Sequence, residues 1–186
     1  MGSGSREIKE ALRWEARMWR NSLPEALRQE LSRQICALLT EWQVFREAEA
    51  IYFYYPLGSE ADLLPAARLV LEQGKTAAFP RTAGEQMDFY QVRSLEEFRE
   101  GAFHVMEPAG GLRMQEKAPL ILVPGLAFDR RKGRVGYGKA YYDRYFRQFP
   151  HAVKAGICME GQLAERIPME AHDIWMDYLV TERGIR

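Results

Sequence analysis

The residues with the clearest chemical promise lie in one run, GRVGYGKAYYD, from Gly133 to Asp143. From Gly133 the letters follow the phosphate-loop pattern of a glycine, four residues and then Gly-Lys. Ala140, however, stands where that pattern has a Ser or Thr hydroxyl to hold magnesium. The spacing also departs from that loop, because the first glycine comes ten positions after Val123, the end of the apolar run before it. Anion chemistry survives both departures. Gly133, Gly136 and Gly138 let backbone approach a ligand closely, and the amides that open the following helix carry partial positive charge. Arg134 and Lys139 add full charges. Lys139 and Asp143 stand four apart, so on one helix they share a face and present an ammonium to phosphate and a carboxylate to a metal. The alternative is a solvated Lys–Asp pair beside glycines that only shape a turn.

These groups need elements to hold them. "LILV" (Leu120 to Val123) is a continuous apolar run, as in a strand buried on both faces, and a helix is expected from about Gly138 to Phe149. Tyr141 and Tyr145 share one face of that helix and Tyr142 and Phe146 the next; core packing is the default for such spacing, with part of one pair lining a pocket. Upstream, Arg6 to about Trp19 reads as a helix. A second helix carries Leu27, Leu31, Ile35, Leu38 and Leu39 behind a Ser22/Glu25 capping box. "AIYFYY" (Ala50 to Tyr55), "TAAF" before Pro80, "MDFYQV", "AVKAGIC" and "YLVT" are strand candidates, with a helix around Pro65 to Glu72 stopped by Gly74. Ser94 and Glu97 offer another capping box. Strands alternating with helices give an α/β class with a mostly parallel sheet covered on both faces. In such sheets ligands bind beyond the carboxyl ends of the strands, which puts the loop after "LILV" first.

The totals narrow the field. The chain has 186 residues, which suits a single domain over 1–186, with the first five residues as a flexible start. Lys plus Arg equals Asp plus Glu at 26 each, so no global field favours nucleic acid or an anionic membrane. No apolar run approaches the roughly 18 residues of a membrane span. The cysteines, Cys36 and Cys158, form no CxxC or Cys/His cluster, so a reduced cytoplasmic protein without a zinc site is expected.

"PGLAFD" (Pro124 to Asp129) followed by "GRVGYGKAYYD" closely resembles the signature of the 5-formyltetrahydrofolate cyclo-ligase family, also called 5,10-methenyltetrahydrofolate synthetases. Lys9 with Arg13, Glu60 in "PLGSEAD", "FPR" (Phe79 to Arg81), "MDF", "EP" (Glu107, Pro108) and "HDIWMDYLVTE" (His172 to Glu182) fall in the family's order. The resemblance implies a three-layer α/β/α sandwich, and an enzyme that closes 5-formyltetrahydrofolate to 5,10-methenyltetrahydrofolate while ATP becomes ADP and phosphate. It also implies a magnesium requirement and folate substrates that include polyglutamylated forms; a monomer is expected. By similarity, Arg134, Val135, Gly136, Tyr137, Gly138, Lys139, Ala140, Tyr141 and Tyr142 wrap the triphosphate, helped by Lys9 and Arg13, with Lys139 and Arg134 central to catalysis. Asp143 and Asp173 hold magnesium. Tyr55, Glu60, Tyr137 and Tyr141 meet the folate, and Phe103 covers its rings. The departure is Ala140, where the family usually has glycine. If the position needs a positive φ, alanine is strained there; if it lies in the helix, alanine favours it, and the helical reading of Tyr141 onward points to the second. Two other readings stay open: a non-catalytic folate- or nucleotide-binding relative, and another phosphate-handling enzyme such as a sugar-phosphate isomerase. His104 and His151 receive no role.

Overall fold

The computed structural model describes residues 2–101, 104–115 and 118–186. In chain order the elements are α1 (Gly2–Ser22), α2 (Glu25–Glu41), α3 (Gln43–Glu47), β1 (Ala50–Tyr52), α4 (Leu64–Glu72), β2 (Thr76–Ala83), β3 (Gln86–Val92), β4 (Phe98–Glu100), β5 (Met106–Pro108), β6 (Leu120–Pro124), β7 (Ala127–Asp129), β8 (Arg134–Val135), α5 (Tyr141–Gln148), β9 (Val153–Ile157), β10 (Leu163–Ala164), β11 (Tyr178–Thr181) and β12 (Gly184–Ile185). A seven-stranded sheet runs β12-β11-β9-β6-β1-β2-β3. Its inner pairs are parallel, and only the outermost strands, β12 and β3, run antiparallel to their neighbours.

Strand periodicity decides what each face carries. Ile51, Phe53, Ala77, Phe79, Leu120 and Leu122 point into one cluster, with Ile35 and Leu39 of α2, Phe45 of α3 and Val70 of α4. Tyr52, Ala78, Ile121, Val123 and Phe89 point into the other, with Tyr145 and Phe146 of α5. Both faces are therefore apolar and covered, which is why "LILV" reads as an unbroken apolar run. The result is the expected α/β sandwich. Beside it lies a three-stranded sheet, β10-β7-β8, whose Ala127 and Val135 pack with Leu12 and Ala16 of α1. That packing brings the cationic face of α1 against the loop after β6.

Several local expectations change. The box at Ser22 and Glu25 does not form. The first helix runs on through Ser22, whose Oγ donates to the Trp19 carbonyl, and α2 starts on Pro24, whose carbonyl takes the Leu27 and Arg28 amides. Ser94 and Glu97 close a turn instead of starting a helix: Ser94 Oγ accepts the Glu96 amide and Glu97 accepts the Arg93 amide. The second strand does not stop before Pro80. It continues to Ala83, paired with β3, because at Pro80 the missing N–H falls on the side where β1 has already ended. The fifth helix begins only at Tyr141, so Lys139 precedes it and the helical Lys139–Asp143 face does not exist.

Candidate active site

Two cavities meet above the carboxyl ends of the central strands. The first, about 400 Å³, is lined by cations from two directions: Arg6, Lys9 and Arg13 on α1, and Arg134 and Lys139 around the glycine turn. Asp143, Glu170, His172 and Asp173 close its far side. Positions 6, 9 and 13 share a helix face because each step is three or four residues.

The turn itself is held by its neighbours. Asp129, fully buried, accepts the Arg131 and Gly133 amides on Oδ1 and the Ile167 amide on Oδ2, which fixes the entry to the run. Arg13 donates from Nε to the Gly136 carbonyl at 2.9 Å. A Cβ at Gly136 would lie 2.7 Å from an Arg134 guanidinium nitrogen, so the glycine makes room for that arginine. Arg134 is buried and donates to Asp143 Oδ2 at 3.0 Å and to the Pro124 carbonyl at 3.3 Å, while its Nε is buried with no partner. Lys9 is also buried and bonds Asp173 at 2.5 Å and Glu170 at 3.1 Å. Burial alone would depress the Lys9 ammonium, but hydrogen bonds and charge from Asp173 and Glu170 outweigh it and hold it above its ordinary range.

Ala140 departs from the helical expectation. Its φ is 52° and ψ 24°, left-handed backbone, and Gly138 beside it has φ 90°. The chain must reverse sharply out of the turn so that the Ala140 carbonyl can take the Arg144 amide as the first bond of α5. Ala140 therefore does the work that suits glycine.

The second cavity, about 320 Å³, is mainly apolar, with Tyr54, Tyr55, Leu57, Pro80, Met87 and Val105 in its wall. Tyr55 packs on Phe98 with ring centroids 5.0 Å apart. Two buried carboxylates interrupt this wall. Glu107 accepts the Thr82 amide and hydroxyl. Glu60 accepts the Leu57 amide at 2.9 Å and the Tyr137 hydroxyl at 2.6 Å. Burial pushes the Glu60 carboxyl up, against the pull of Tyr137, Arg20 and the Leu57 amide. The Tyr137 hydroxyl is also pushed well up, by burial and by the neighbouring Glu60 charge.

Tyr137, Lys139, Tyr141, Tyr142, Met87 and Pro124 line both cavities. A phosphate-sized anion beside the cations and a flat apolar molecule in the second cavity would meet at this shared wall.

The 5-formyltetrahydrofolate cyclo-ligase family model matches residues 5–182. The chain belongs to that family. It is 33% identical over 137 residues to a probable 5-formyltetrahydrofolate cyclo-ligase of Schizosaccharomyces pombe, covering 63% of this chain and 67% of that one. Over 176 residues it is 27% identical to the 5-formyltetrahydrofolate cyclo-ligase of Mycolicibacterium smegmatis, covering 89% and 90%. The NMR structure of Aquifex aeolicus 5,10-methenyltetrahydrofolate synthetase superposes with a TM-score of 0.87 at 35% identity, over 96% of this chain and 92% of that one. As a cyclo-ligase the enzyme converts 5-formyltetrahydrofolate to 5,10-methenyltetrahydrofolate.

The two cavities bring together most of the residues named from the sequence. Lys9, Arg13, the run from Arg134 to Asp143, and Asp173 all line the first cavity. Tyr55, Glu60, Tyr137 and Tyr141 line the second, and Phe103 lies outside the described residues. Sequence reasoning missed Glu170 and Arg20, and named Glu107 only within the "EP" segment, without a site role. Arg20 carried a signal, because it extends the face of Arg6, Lys9 and Arg13 by two further turns. Glu170 carried none beyond its charge.

A magnesium ion fits the first cavity chemically. Asp143 and Asp173 are hard oxygen donors on its wall: each Asp143 oxygen accepts one bond and keeps a second lone pair, while Asp173 Oδ2 is taken by the Lys9 ammonium and the Glu170 amide, which leaves Asp173 Oδ1 for a metal. Glu170, His172 and Asp173 place donor atoms within 4.8 Å of one another.

Proposed function

We propose that the enzyme drives ring closure with ATP by phosphorylating the formyl oxygen at the wall shared by the two cavities. The observation that supports this most is that wall: Lys139 and the tyrosines around it border a cation-lined cavity and an apolar one at once. Lys9, Arg13 and Arg134 to Tyr142 bind the triphosphate. Asp143 and Asp173 hold magnesium, which would neutralise phosphate charge. Tyr55, Glu60, Tyr137, Tyr141 and Phe103 take the folate, polyglutamylated forms included.

An N-formyl group is an amide, and its oxygen leaves poorly. As the bond from the γ-phosphorus to ADP breaks, a bond from the formyl oxygen to that phosphorus forms, and the formyl carbon becomes strongly electrophilic. The neighbouring folate nitrogen attacks it and the five-membered ring closes. The carbon–oxygen bond then breaks, and phosphate leaves with the proton that the nitrogen gives up. Lys139 and Arg134 would stabilise charge on the transferred group, the main protein contribution to phosphoryl transfer. Arg13 orients the turn through Gly136. The apolar wall excludes water that would otherwise hydrolyse the activated intermediate. No side-chain nucleophile is needed.

Among the described residues no helix is long and apolar enough to cross a membrane. Burial pushes the Cys36 thiol up to about 11, which suits an inert structural cysteine. We read the working form as a cytoplasmic monomer of one domain. The test combines purified protein, ATP, magnesium and 5-formyltetrahydrofolate. The reading requires near-ultraviolet absorbance of the methenyl product together with one ADP per turnover. Methenyl product formed without ATP would contradict the ATP-driven reading, and tight binding without ADP release would point to a non-catalytic relative.

A further inference from the structure

Arg20 borders neither cavity, yet it lies directly behind the wall of the apolar one. It is 4% exposed, in the last turn of α1. Its Nε donates to Ser59 Oγ at 2.9 Å, one terminal nitrogen donates to the Tyr137 hydroxyl at 2.9 Å, and the other stands 4.0 Å from Glu60 Oε1. We infer that Arg20 is a positioning residue for the reaction: it sets the Glu60–Tyr137 pair for the folate and, through Tyr137, holds the turn that carries Lys139. This rests on the assignment of the apolar cavity to folate.

The hydrogen-bond directions carry the inference. A phenol has one proton. Because Tyr137 accepts from Arg20, that proton is committed to Glu60 Oε1, 2.6 Å away. Glu60 Oε2 already takes the Leu57 amide. The guanidinium thus decides which way the hydroxyl points and leaves the carboxylate in one orientation. Ser59, the third partner, passes its own proton to Asn21 at 2.5 Å, so the anchor is fixed at both ends. A planar fork can meet three partners at once, and an ammonium presents no such plane. The same helix also grips the preceding residue, since Arg13 holds the Gly136 carbonyl. Adjacent residues of the turn, 136 and 137, are thereby tied to one rigid rod. Among the described residues, Arg20 of α1, Tyr137 of the turn, Tyr54 after β1 and Tyr142 of α5 act on Glu60, Lys139 and Glu107 share the apolar cavity with it, and Arg28 and Arg33 of α2 with Asp62 line a further cavity beside it. Arg20 is the cation that comes within 4.0 Å of its carboxylate.

The test uses Arg20→Met, Arg20→Lys, Tyr137→Phe and Arg20→Met/Tyr137→Phe, each with a melting curve. Calorimetric titration measures 5-formyltetrahydrofolate without nucleotide, and ATP with magnesium separately. Arg20→Met should weaken folate binding about tenfold, the worth of one charge-assisted hydrogen bond, and weaken ATP binding less, because Arg13 still holds the turn at Gly136. The acid limb of folate affinity should move to higher pH, because Glu60 loses its nearby cation. The double variant should bind folate no worse than Tyr137→Phe alone. Arg20→Lys should reproduce the folate defect, and it carries the test if Arg20→Met does not fold. Unchanged folate affinity in the variants would overturn the inference. So would an equal loss of both ligands tracking a lower melting temperature, which marks a merely structural arginine. A native chain that binds no folate fails the assignment of the cavity instead, and is seen before any variant is made.

Discussion

Ala140→Gly should make this protein more stable, although glycine weakens helix interiors. Ala140 sits at φ 52°, ψ 24°, exposed, just before the first residue of α5. An L-residue with a Cβ costs about 1–2 kcal/mol in that conformation. Glycine removes the cost but returns roughly 0.5–1 kcal/mol through the greater freedom of the unfolded chain. The net gain is roughly 0.5–1 kcal/mol, or about 1–4 °C in melting temperature for a chain of this size. Ala140→Val should move the other way, because a β-branched side chain tolerates left-handed backbone less well. The assay is a thermal melt of the three proteins, followed by ATP-dependent turnover. Turnover of Ala140→Gly should match or exceed that of the native chain, since Ala140 lines the cation-lined cavity. A lower melting temperature for the glycine variant, with valine tolerated, would refute the left-handed turn and the way Lys139 is delivered by it.

Other perturbations separate the roles of the site. Gly136→Ala places a methyl 2.7 Å from the Arg134 guanidinium, so that side chain must leave Asp143. Its KM for ATP should rise about tenfold, and its melting temperature should fall because the buried Arg134–Asp143 pair is broken; an unchanged KM removes Arg134 from nucleotide binding. Lys139→Ala should lower kcat at least about a hundredfold while the fold persists, and near-native turnover excludes Lys139 from catalysis. Glu60 is held above its ordinary value of 4.5, so the native chain binds that proton more tightly than the unfolded one. Its contribution to stability is therefore full below about pH 4.5 and is lost as pH rises through the raised value. Glu60→Gln lacks this slope, so the melting temperature of the native chain minus that of the variant should fall from pH 4.5 upward. A flat difference contradicts the burial of Glu60.

Much of this arrangement was legible in the residues. The unbroken apolar run at Leu120 announced a strand covered on both faces, and the glycine run after it marked the turn that lines the first cavity beyond that strand. The misreadings share a cause, which is that neighbouring structure decides what a local signal does. Ser22 is a good cap, but the first helix had already used it. Pro80 ends strands only where its missing N–H has a partner to lose. Lys139 and Asp143 have helical spacing, yet a left-handed Ala140 lies between them, and Asp143 pairs with Arg134 instead. Ion pairs across the chain, such as Lys9 with Asp173, leave no trace in local spacing because they depend on the docking of α1 against the small sheet. The residues that line the first cavity were legible because most of them cluster in sequence. Arg20 and Glu170 were missed because they reach their partners only in space.

The path of the formyl oxygen tests the central claim most directly. With substrate carrying oxygen-18 in the formyl group, phosphorus NMR of a completed reaction reads where that atom goes. Phosphorylation at the shared wall predicts one labelled oxygen in each inorganic phosphate formed. Unlabelled phosphate, with the isotope released to water, would contradict it.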